Sequence, residues 1–284
     1  MREHGCIPME SFGAMIPNSG LLDLGDTSAL VTGGAQGFGF AIARRLAEAG
    51  SKVVIADRDQ KTAELAAGRI RNEFDADVSA IALDVSSEIE VGKAFADCKD
   101  LNYLINNAGV FSNYIVENLE SDEFDRIYRT NVRGIFLCSR EFARNNLGIV
   151  NDRVIINIAS VDALNPSCVG QVHYTSSKHA VAGLTKGLSV ELSPRGIRVC
   201  AVCPGAALPE GAVALVTSGS PAGVDIAQQW AGIENRTPLG RLISPDDVAL
   251  ATLFLLSPMA ISITGILLPV DGGISSQPYE GYLV

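Results

Sequence analysis

Short, nearly continuous apolar runs alternate with longer amphipathic stretches along most of the chain. The runs predict seven strands, at residues 28–32, 52–56, 79–83, 103–105, 154–158, 197–202 and 266–270. Apolar strands without polar alternation are typical of a parallel sheet that is covered on both faces. The intervening stretches predict helices near residues 40–49, 60–74, 88–96, 121–145, 174–193 and 245–256. The pattern therefore indicates an α/β protein with one doubly wound, seven-stranded parallel sheet.

No internal repeat and no Ser- or Pro-rich linker divides this pattern into two units. We expect a single domain over residues 25–274, preceded by a loosely attached extension over residues 1–24. Residues 275–284 are expected to form a short tail. A length of 284 residues is large for one domain, but α/β domains often reach this size.

Composition and charge exclude several classes of function. The 22 Lys and Arg against 32 Asp and Glu give a formal net charge of −10, which is unfavourable for nucleic acid or an anionic membrane surface. No apolar run approaches the roughly 20 residues that span a bilayer. The N-terminal residues lack the continuous apolar region of a secretory signal. We expect a cytoplasmic protein with no nucleic-acid and no membrane partner.

The six cysteines are scattered and do not suggest a disulfide framework. Cys200 and Cys203 form a CxxC pair, but they fall within a predicted strand. Residues three apart on a strand point to opposite faces, which is poor geometry for a shared metal. We expect thiols of the core and no metal site.

A glycine-rich turn, Thr32-Gly33-Gly34-Ala35-Gln36-Gly37-Phe38-Gly39, joins the first predicted strand to a helix. Glycines there let a pyrophosphate approach the N–H groups of a helix N-terminus, where the dipole favours an anion. The second predicted strand ends at Asp57. A carboxylate at this position accepts hydrogen bonds from the ribose hydroxyls and repels a 2′-phosphate, so NAD is expected and NADP is less favoured. Arg58 is the neighbour able to hold a 2′-phosphate.

Tyr174 and Lys178 are four residues apart in a predicted helix, so their side chains share one face. A nearby ammonium lowers the pKa of a phenol from about 10 towards working pH, which makes the phenol a general acid and base for an alcohol/ketone pair. Alone, such a pair is often an ordinary solvated helix face. Behind the glycine turn, and with Ser160 before it, the catalytic interpretation is favoured. His173 faces another direction and is expected to be a surface or packing residue.

Further motifs follow the glycine turn in a definite order. They are Asp84-Val85, Asn106-Asn107-Ala108-Gly109, Asn131, Ser160, Tyr174 with Lys178, Pro204-Gly205 and Val270-Asp271-Gly272-Gly273. With the turn itself, which matches TGxxxGxG, this ordered set resembles the short-chain dehydrogenase/reductase family over residues 25–273. The resemblance implies a Rossmann fold and a nicotinamide cofactor.

The resemblance also implies a role for each matched residue. Tyr174 would exchange a proton with the substrate oxygen, and Ser160 would hydrogen-bond that oxygen. Lys178 would bind the nicotinamide ribose, and Asn131 would hold a water that connects Lys178 to solvent. The implied cofactor contacts are Gly33, Gln36, Gly37, Phe38, Gly39, Asp57, Arg58, Asp84, Val85, Asn107, Ala108, Gly109, Tyr174, Lys178, Pro204, Gly205 and Ala207.

Three features depart from the family. Pro209 stands where the family often has a Thr that hydrogen-bonds the nicotinamide carboxamide, so the backbone near Ala207 is expected to hold that group. The Asp84–Asn106 interval is short, and the spacing from Ser160 to Tyr174 is one residue longer than the family's commonest arrangement. None of the three removes the four catalytic residues.

Residues 206–241 occupy the position of the family's substrate lid and are mostly small and apolar. They predict an apolar or neutral alcohol or ketone, although a packed helix pair is the alternative interpretation. Candidate substrate contacts are Ser160, Asp162, Tyr174 and Trp230, with Asn165, Gln171 and Gln228 as further polar candidates.

The favoured prediction is an NAD(H)-dependent oxidoreductase that acts on a secondary alcohol or ketone. One alternative is an NADPH-dependent 3-oxoacyl or polyketide ketoreductase, against which Asp57 counts. The others are a redox-neutral cyclase, isomerase or lyase and a non-catalytic NAD-binding protein. By family analogy we expect a homotetramer or homodimer, formed by the helices near residues 121–145 and 174–193.

Overall fold

Seven parallel strands form one sheet in the computed structural model, which describes residues 16–147, 153–207 and 226–276. The strands are β1 Ser28–Thr32, β2 Lys52–Asp57, β3 Val78–Ala82, β4 Tyr103–Asn106, β5 Arg153–Ile158, β6 Ile197–Pro204 and β7 Leu267–Val270. Their order is β3-β2-β1-β4-β5-β6-β7, and every neighbouring pair is parallel. The predicted fold is confirmed. The chain changes direction across the sheet between β1 and β4, where ligands of such folds bind.

Eight α-helices connect or follow the strands in the described residues. They are α1 Gly37–Glu48, α2 Gln60–Phe74, α3 Glu88–Asp97, α4 Ser121–Tyr128, α5 Ile135–Asn145, α6 Val172–Leu192, α7 Ile226–Arg236 and α8 Pro245–Leu256. Apart from the start of α1, every predicted helix bound lies within two residues of the observed one. Helix α1 begins three residues earlier than predicted, because the glycine turn leads directly into it.

The core lies on both faces of the sheet. One face packs under α1, α2 and α8, and the other under α3, α5 and the end of α6. Strands β4, β5 and β6 are buried along their whole length. Polar caps stabilise several helix starts: Asp59 caps α2, Ser87 caps α3, and Ser244 forms a capping box with Asp247 at α8.

The predicted long helix over residues 121–145 is interrupted, and this is the main difference from the sequence prediction. Between α4 and α5 the backbone forms a π-helical segment, Arg129–Gly134. Side-chain periodicity cannot detect one widened turn, since the apolar face continues through it. A Cβ at Gly134 would lie 2.8 Å from Cγ2 of Val85, so the segment approaches the end of the third strand closely.

Cys200 and Cys203 are core thiols, as the sequence predicts. They are fully buried on β6 and belong to core clusters on different sides of the sheet. Burial raises the pKa of the Cys203 thiol to about 11. Within the described ranges no helix is both long and apolar enough to cross a membrane. Most of the predicted extension lies outside the described residues, but Leu24 is buried and its N–H bonds the carbonyl of Ala49.

Candidate active site

The glycine turn is shaped for close backbone approach. Gly33 has φ +61°, and a Cβ on it would lie 2.8 Å from Cα of Ala108. Gly37 has φ +58° and open space where a side chain would be. Helix α1 starts at Gly37, and no side chain among the described residues caps its first N–H groups. An uncapped helix N-terminus of this kind is suited to an anion such as a pyrophosphate.

Thr32 and Asn107 hold the turn against the end of β4. The backbone N–H groups of Asn107 and Ala108 donate to Oγ1 of Thr32 at 3.0 and 3.1 Å. In return, Nδ2 of Asn107 donates to the carbonyls of Thr32 and Gly33 at 3.0 and 2.8 Å. These bonds fix the two carboxyl ends at the point where the chain reverses across the sheet.

A cleft of about 450 Å³ opens beside this turn; we call it the cofactor cleft. Ten of the seventeen predicted cofactor contacts line it, namely Gly33, Gln36, Gly37, Asp57, Arg58, Asp84, Val85, Asn107, Ala108 and Gly109. Together with the open helix N-terminus, this lining fits a dinucleotide. No cluster of three metal-binding side chains is found in the part of the chain that the structure describes.

Asp57 lies at the carboxyl end of β2 and faces the glycine turn. Its Oδ2 accepts a hydrogen bond from the N–H of Ala35 at 3.3 Å, and its Oδ1 accepts one from the N–H of Asp59 at 3.2 Å. Arg58 lines the same cleft. The carboxylate thus stands at the predicted place, with each oxygen retaining room for one more donor.

Tyr174, Lys178 and Ser160 come together next to the cofactor cleft. Tyr174 and Lys178 lie on the first turns of α6, with Nζ of Lys178 5.5 Å from the centre of the Tyr174 ring. Nζ also donates to the carbonyl of Ile158 at 3.0 Å. Ser160, 8% exposed, follows β5 and donates to the Asp162 carboxylate, to which Thr175, the residue after Tyr174, also donates. The edge of Phe111 packs on the Tyr174 ring, with 6.3 Å between ring centres.

Burial shifts the pKa values of Tyr174 and Lys178 in the directions that favour the neutral form of each side chain. It raises the pKa of Tyr174 to about 12, an effect that hydrogen bonding with Ser160 opposes. It also lowers the pKa of Lys178 to about 8. The phenol is therefore protonated at neutral pH in the protein alone, and the ammonium releases its proton close to working pH.

Asn131 lies in the π-helical segment and is fully buried. Its Oδ1 accepts from the N–H of Val110 at 2.8 Å, and its Nδ2 donates to the carbonyl of Val110 at 2.9 Å and to Oγ of Ser177 at 3.2 Å. The side chain is thus occupied in joining the end of β4 to α6. It places the loop after Gly109 beside Lys178.

Asp162 was predicted as a substrate contact, but its carboxylate is 97% buried behind Ser160. Both oxygens accept hydrogen bonds from the protein: Ser160 and Ser167 donate to Oδ2, and Ser167 N–H and Thr175 donate to Oδ1. The carboxylate is therefore saturated by its own loop and by α6. Ser160 lies between it and Tyr174.

A search of protein-family models matches residues 33–275 to the family described as enoyl-(acyl carrier protein) reductase. A 3-oxoacyl-[acyl-carrier-protein] reductase of Aquifex aeolicus is 34% identical, over 86% of this chain and 96% of its own. A 4-formylbenzenesulfonate dehydrogenase of Comamonas testosteroni is 37% identical, over 89% and 99%. The chain belongs to the short-chain dehydrogenase/reductase family. It is a pyridine-nucleotide-dependent oxidoreductase of that family.

Solved structures of the family agree with this assignment. The 3-ketoacyl-(acyl-carrier-protein) reductase of Brucella melitensis, solved with NADH, is 38% identical with a TM-score of 0.77. The match covers 89% of this chain and 99% of that one. Other matched members were solved with NADP or NADPH, so the family relation leaves the choice of nucleotide open.

Not every predicted residue of this short-chain dehydrogenase/reductase lines the cofactor cleft. Gly39 is buried, and a Cβ on it would collide with the Gly33 carbonyl, so it serves the close approach of turn and helix. Phe38 packs against the core, and Pro204 ends β6. Gly205 meets the backbone of Asp271, and Ala207 bridges to Ile243. Each lies beside the carboxyl edge rather than in the cleft wall.

The lid prediction is only partly within the described residues. Trp230 lies on α7 and is partly exposed, whereas Pro209 and residues 208–225 lie outside the described ranges. Nothing is described of the Gln228 side chain. Asn165 donates to the carbonyl of Ser275 at 3.3 Å, and Gln171 precedes α6.

Sequence reasoning missed Arg126 and Thr130, which also line the cofactor cleft. Their spacing of four residues on the helix that carries Asn131 is the signal that could have found them. Arg126 pairs with Glu123 at 2.6 Å, and Glu123 hydrogen-bonds Ser112. Ser112 in turn bonds Nε2 of His173 at 2.8 Å. His173 is fully buried, which is the packing role that the sequence allowed.

Proposed function

We propose that this protein transfers a hydride between NAD(H) and a secondary alcohol or ketone of apolar or neutral character. The observation that carries the proposal is the cluster of Tyr174, Lys178 and Ser160 beside the cofactor cleft. A phenol, an ammonium and a hydroxyl are the groups needed to move one proton at a carbonyl or alcohol oxygen.

The bound nicotinamide would supply or accept the hydride, and the chain supplies the proton chemistry. In ketone reduction Tyr174 donates its proton to the substrate oxygen, while Ser160 donates a hydrogen bond to the same oxygen. In alcohol oxidation Tyr174 instead accepts the proton from the substrate hydroxyl. Lys178, held by the Ile158 carbonyl, favours the ionised phenol and replaces its proton from the solvent side. Asn131 keeps the loop after β4 in place beside Lys178.

Asp57 supports NAD as the cofactor. A carboxylate at the end of β2 accepts hydrogen bonds from the ribose hydroxyls, and it repels a 2′-phosphate. The alternative, an NADPH-dependent 3-oxoacyl or polyketide ketoreductase, is favoured by Arg58 in the same cleft and by the names of several relatives. The ratio of NAD to NADP affinities decides between them.

Exposed apolar side chains at the mouth of the site support an apolar substrate. Phe111 is 71% exposed and contacts Tyr174. Val169, on the loop after β5, and Val172, at the start of α6, are also exposed. The N–H of Tyr114 donates to the carbonyl of Gly170 at 2.8 Å, so the loops after β4 and β5 form one wall. On this surface a charged substrate would lose hydration without gaining polar partners in return.

We also propose a homotetramer or homodimer. An open depression of about 510 Å³ runs along α4, the π-helical segment, the start of α5 and α6, and it is lined by Tyr128, Val132, Phe136 and Leu184. A second copy of this chain packed on the same helices would cover these side chains.

Calorimetric titration with NAD⁺ and NADP⁺, followed by an absorbance screen at about 340 nm with secondary alcohols, tests the proposal. We expect tighter binding of NAD⁺ and alcohol-dependent formation of NADH. Tighter binding of NADP⁺ would instead favour the ketoreductase. NAD⁺ binding with no reaction across alcohols and ketones would contradict hydride transfer to this substrate class.

A further inference from the structure

The hydroxyl of Ser160 has one proton and two acceptors that compete for it. In the structure this proton is directed to Oδ2 of Asp162, with 3.2 Å between the oxygens. Tyr174 lies beside the same group, because the next residue of α6, Thr175, also donates to the Asp162 carboxylate. The function proposed above requires the same proton at the substrate oxygen, so the bond to Asp162 must be exchanged during the reaction.

The hydrogen-bond pattern shows which bond can be exchanged. Ser167 Oγ and Thr175 Oγ1 each donate to the carboxylate at 2.7 Å, and the N–H of Ser167 donates at 3.1 Å. The Ser160 bond, at 3.2 Å, is the longest of the four. When Ser160 turns away, the buried carboxylate keeps three donors, which limits the cost of leaving a buried charge unpaired.

The backbone keeps Ser160 in place while its proton moves. The N–H of Asp162 donates to Oγ of Ser160 at 3.1 Å, independently of the Asp162 side chain. The oxygen is therefore fixed by the backbone, and the direction of its proton is set by the carboxylate.

We propose that Asp162 is a positioning residue that competes with Tyr174 and the substrate oxygen for the hydroxyl proton of Ser160. In the resting enzyme Ser160 donates its proton to Asp162, so this proton is withheld from Tyr174, and the negative charge of Asp162 opposes ionisation of the phenol. When charge develops on the substrate or phenol oxygen, the Ser160 proton turns to that oxygen. No covalent bond is formed or broken by Asp162.

Asp162→Asn tests this proposal because it reverses the polarity of the two hydrogen bonds at the Oδ2 position, those with Ser160 and with the Ser167 hydroxyl. The N–H of Ser167 can only donate, so the amide oxygen must take the Oδ1 position beside it. The amide nitrogen then takes the Oδ2 position and donates to Ser160. The Ser160 proton is thereby released to Tyr174.

We expect the pH midpoint of kcat/KM for alcohol oxidation to fall by about one unit in Asp162→Asn. Two causes act in the same direction: a negative charge near the phenol is removed, and Ser160 becomes a donor to the phenolate. The other ionisable groups facing Tyr174 and Lys178 are Cys168 and Cys203, which the substitution leaves unchanged.

Two comparisons separate this from a loop-anchoring role. Ser167→Ala removes a donor but keeps the carboxylate, so its midpoint should not move to lower pH. In a Ser160→Ala background, adding Asp162→Asn should move the midpoint by less than half as much. An unchanged or higher midpoint in Asp162→Asn, or an equal shift in both backgrounds, would overturn the proposal.

This proposal rests on the proposed function. A titration of Tyr174 that needs no substrate tests the role of Asp162 separately from that function. In protein labelled with ¹³C at tyrosine Cζ, the Tyr174 signal is identified by its loss in Tyr174→Phe. We expect this signal to titrate at lower pH in Asp162→Asn than in the unsubstituted protein, whether or not any alcohol is oxidised. An unshifted titration contradicts the role of Asp162, whereas a silent substrate screen contradicts only the function.

Discussion

At the scale of single residues, Tyr174 and Lys178 are held in an environment that opposes the charge of each. Burial raises the pKa of the phenol to about 12 and lowers the pKa of the ammonium to about 8. The local sequence indicates only that the phenol and the ammonium lie close enough to interact, because residues four apart on a helix share one face. The burial cannot be seen locally, because the Phe111 ring that packs on Tyr174 is distant in the chain.

Tyr174→Phe removes the group that moves the proton and leaves the cofactor cleft intact. We expect turnover to fall by about 10³-fold, because a positioned general acid or base contributes rate factors of this order. Nucleotide binding, measured by calorimetry, should be unchanged. Turnover close to that of the unsubstituted enzyme would show that another group serves as acid and base.

The buried ammonium of Lys178 predicts a pH-dependent stability. The pKa of Lys178 is lower in the folded protein than in the unfolded chain. Its contribution to the free energy of unfolding is therefore fully present above the unfolded pKa and is lost as pH falls through about 8. Relative to Lys178→Met, the free energy of unfolding should rise by about 2 kcal/mol from about pH 7.5 to 9.5. Urea denaturation at a series of pH values measures it. Parallel stability curves for the two proteins would contradict the lowered pKa.

At the scale of elements, the π-helical segment Arg129–Gly134 joins the cofactor cleft to the catalytic cluster. Thr130 lines the cleft and Asn131 bonds the loop after β4, while Gly134 approaches Val85. The segment lies between α4 and α5, at the carboxyl edge of the sheet. Extra turns of this kind are frequent at functional sites.

Gly134→Ala tests how closely the π-helical segment must approach the sheet edge. The backbone of Gly134 is already helical, at φ −59°, so only the added Cβ is at issue, 2.8 Å from Val85. We expect a loss of about 1–3 kcal/mol in stability and weaker nucleotide binding. Gly187→Ala on α6 is the matched control, since its Cβ meets open space, and it should stabilise by about 0.5–1 kcal/mol. Equal effects of the two substitutions would contradict the close approach.

The elements themselves were largely predictable from the sequence. The strands were found because both faces of the sheet are buried, which leaves uninterrupted apolar runs. The glycine turn and Asp57 were found because their positions follow directly from a strand end. The role of Asp162 could not be found in this way. It depends on which side chains meet in the folded chain, and no local periodicity encodes such contacts.

At the scale of the whole molecule, the apolar depression on α4, the π-helical segment, the start of α5 and α6 is the surface on which we propose self-association. Phe136 is 43% exposed within it. Phe136 also lies under the guanidinium of Arg140, 5.6 Å from its ring centre, so the depression has a charged border. An apolar centre with a charged rim is typical of a specific protein interface.

Sedimentation equilibrium at micromolar concentration should give a tetramer of this 29.9 kDa chain, or a dimer. Phe136→Glu should shift the mass towards the monomer, because a charge would be buried at the centre of the contact. Ile89→Glu, at an 86% exposed apolar position on α3, is the control and should leave the mass unchanged. A monomeric unsubstituted protein would contradict the proposed assembly.

The strand order also has a consequence for co-translational folding. Each strand pairs with one made before it: β2 and β4 add to β1, β3 adds to β2, and β5, β6 and β7 each extend the growing edge. No strand must wait for a later one, so the sheet can assemble in the order of synthesis. Most of the cleft wall is complete once β4 has emerged. The chain therefore makes most of this wall before it makes Ser160, Tyr174 and Lys178.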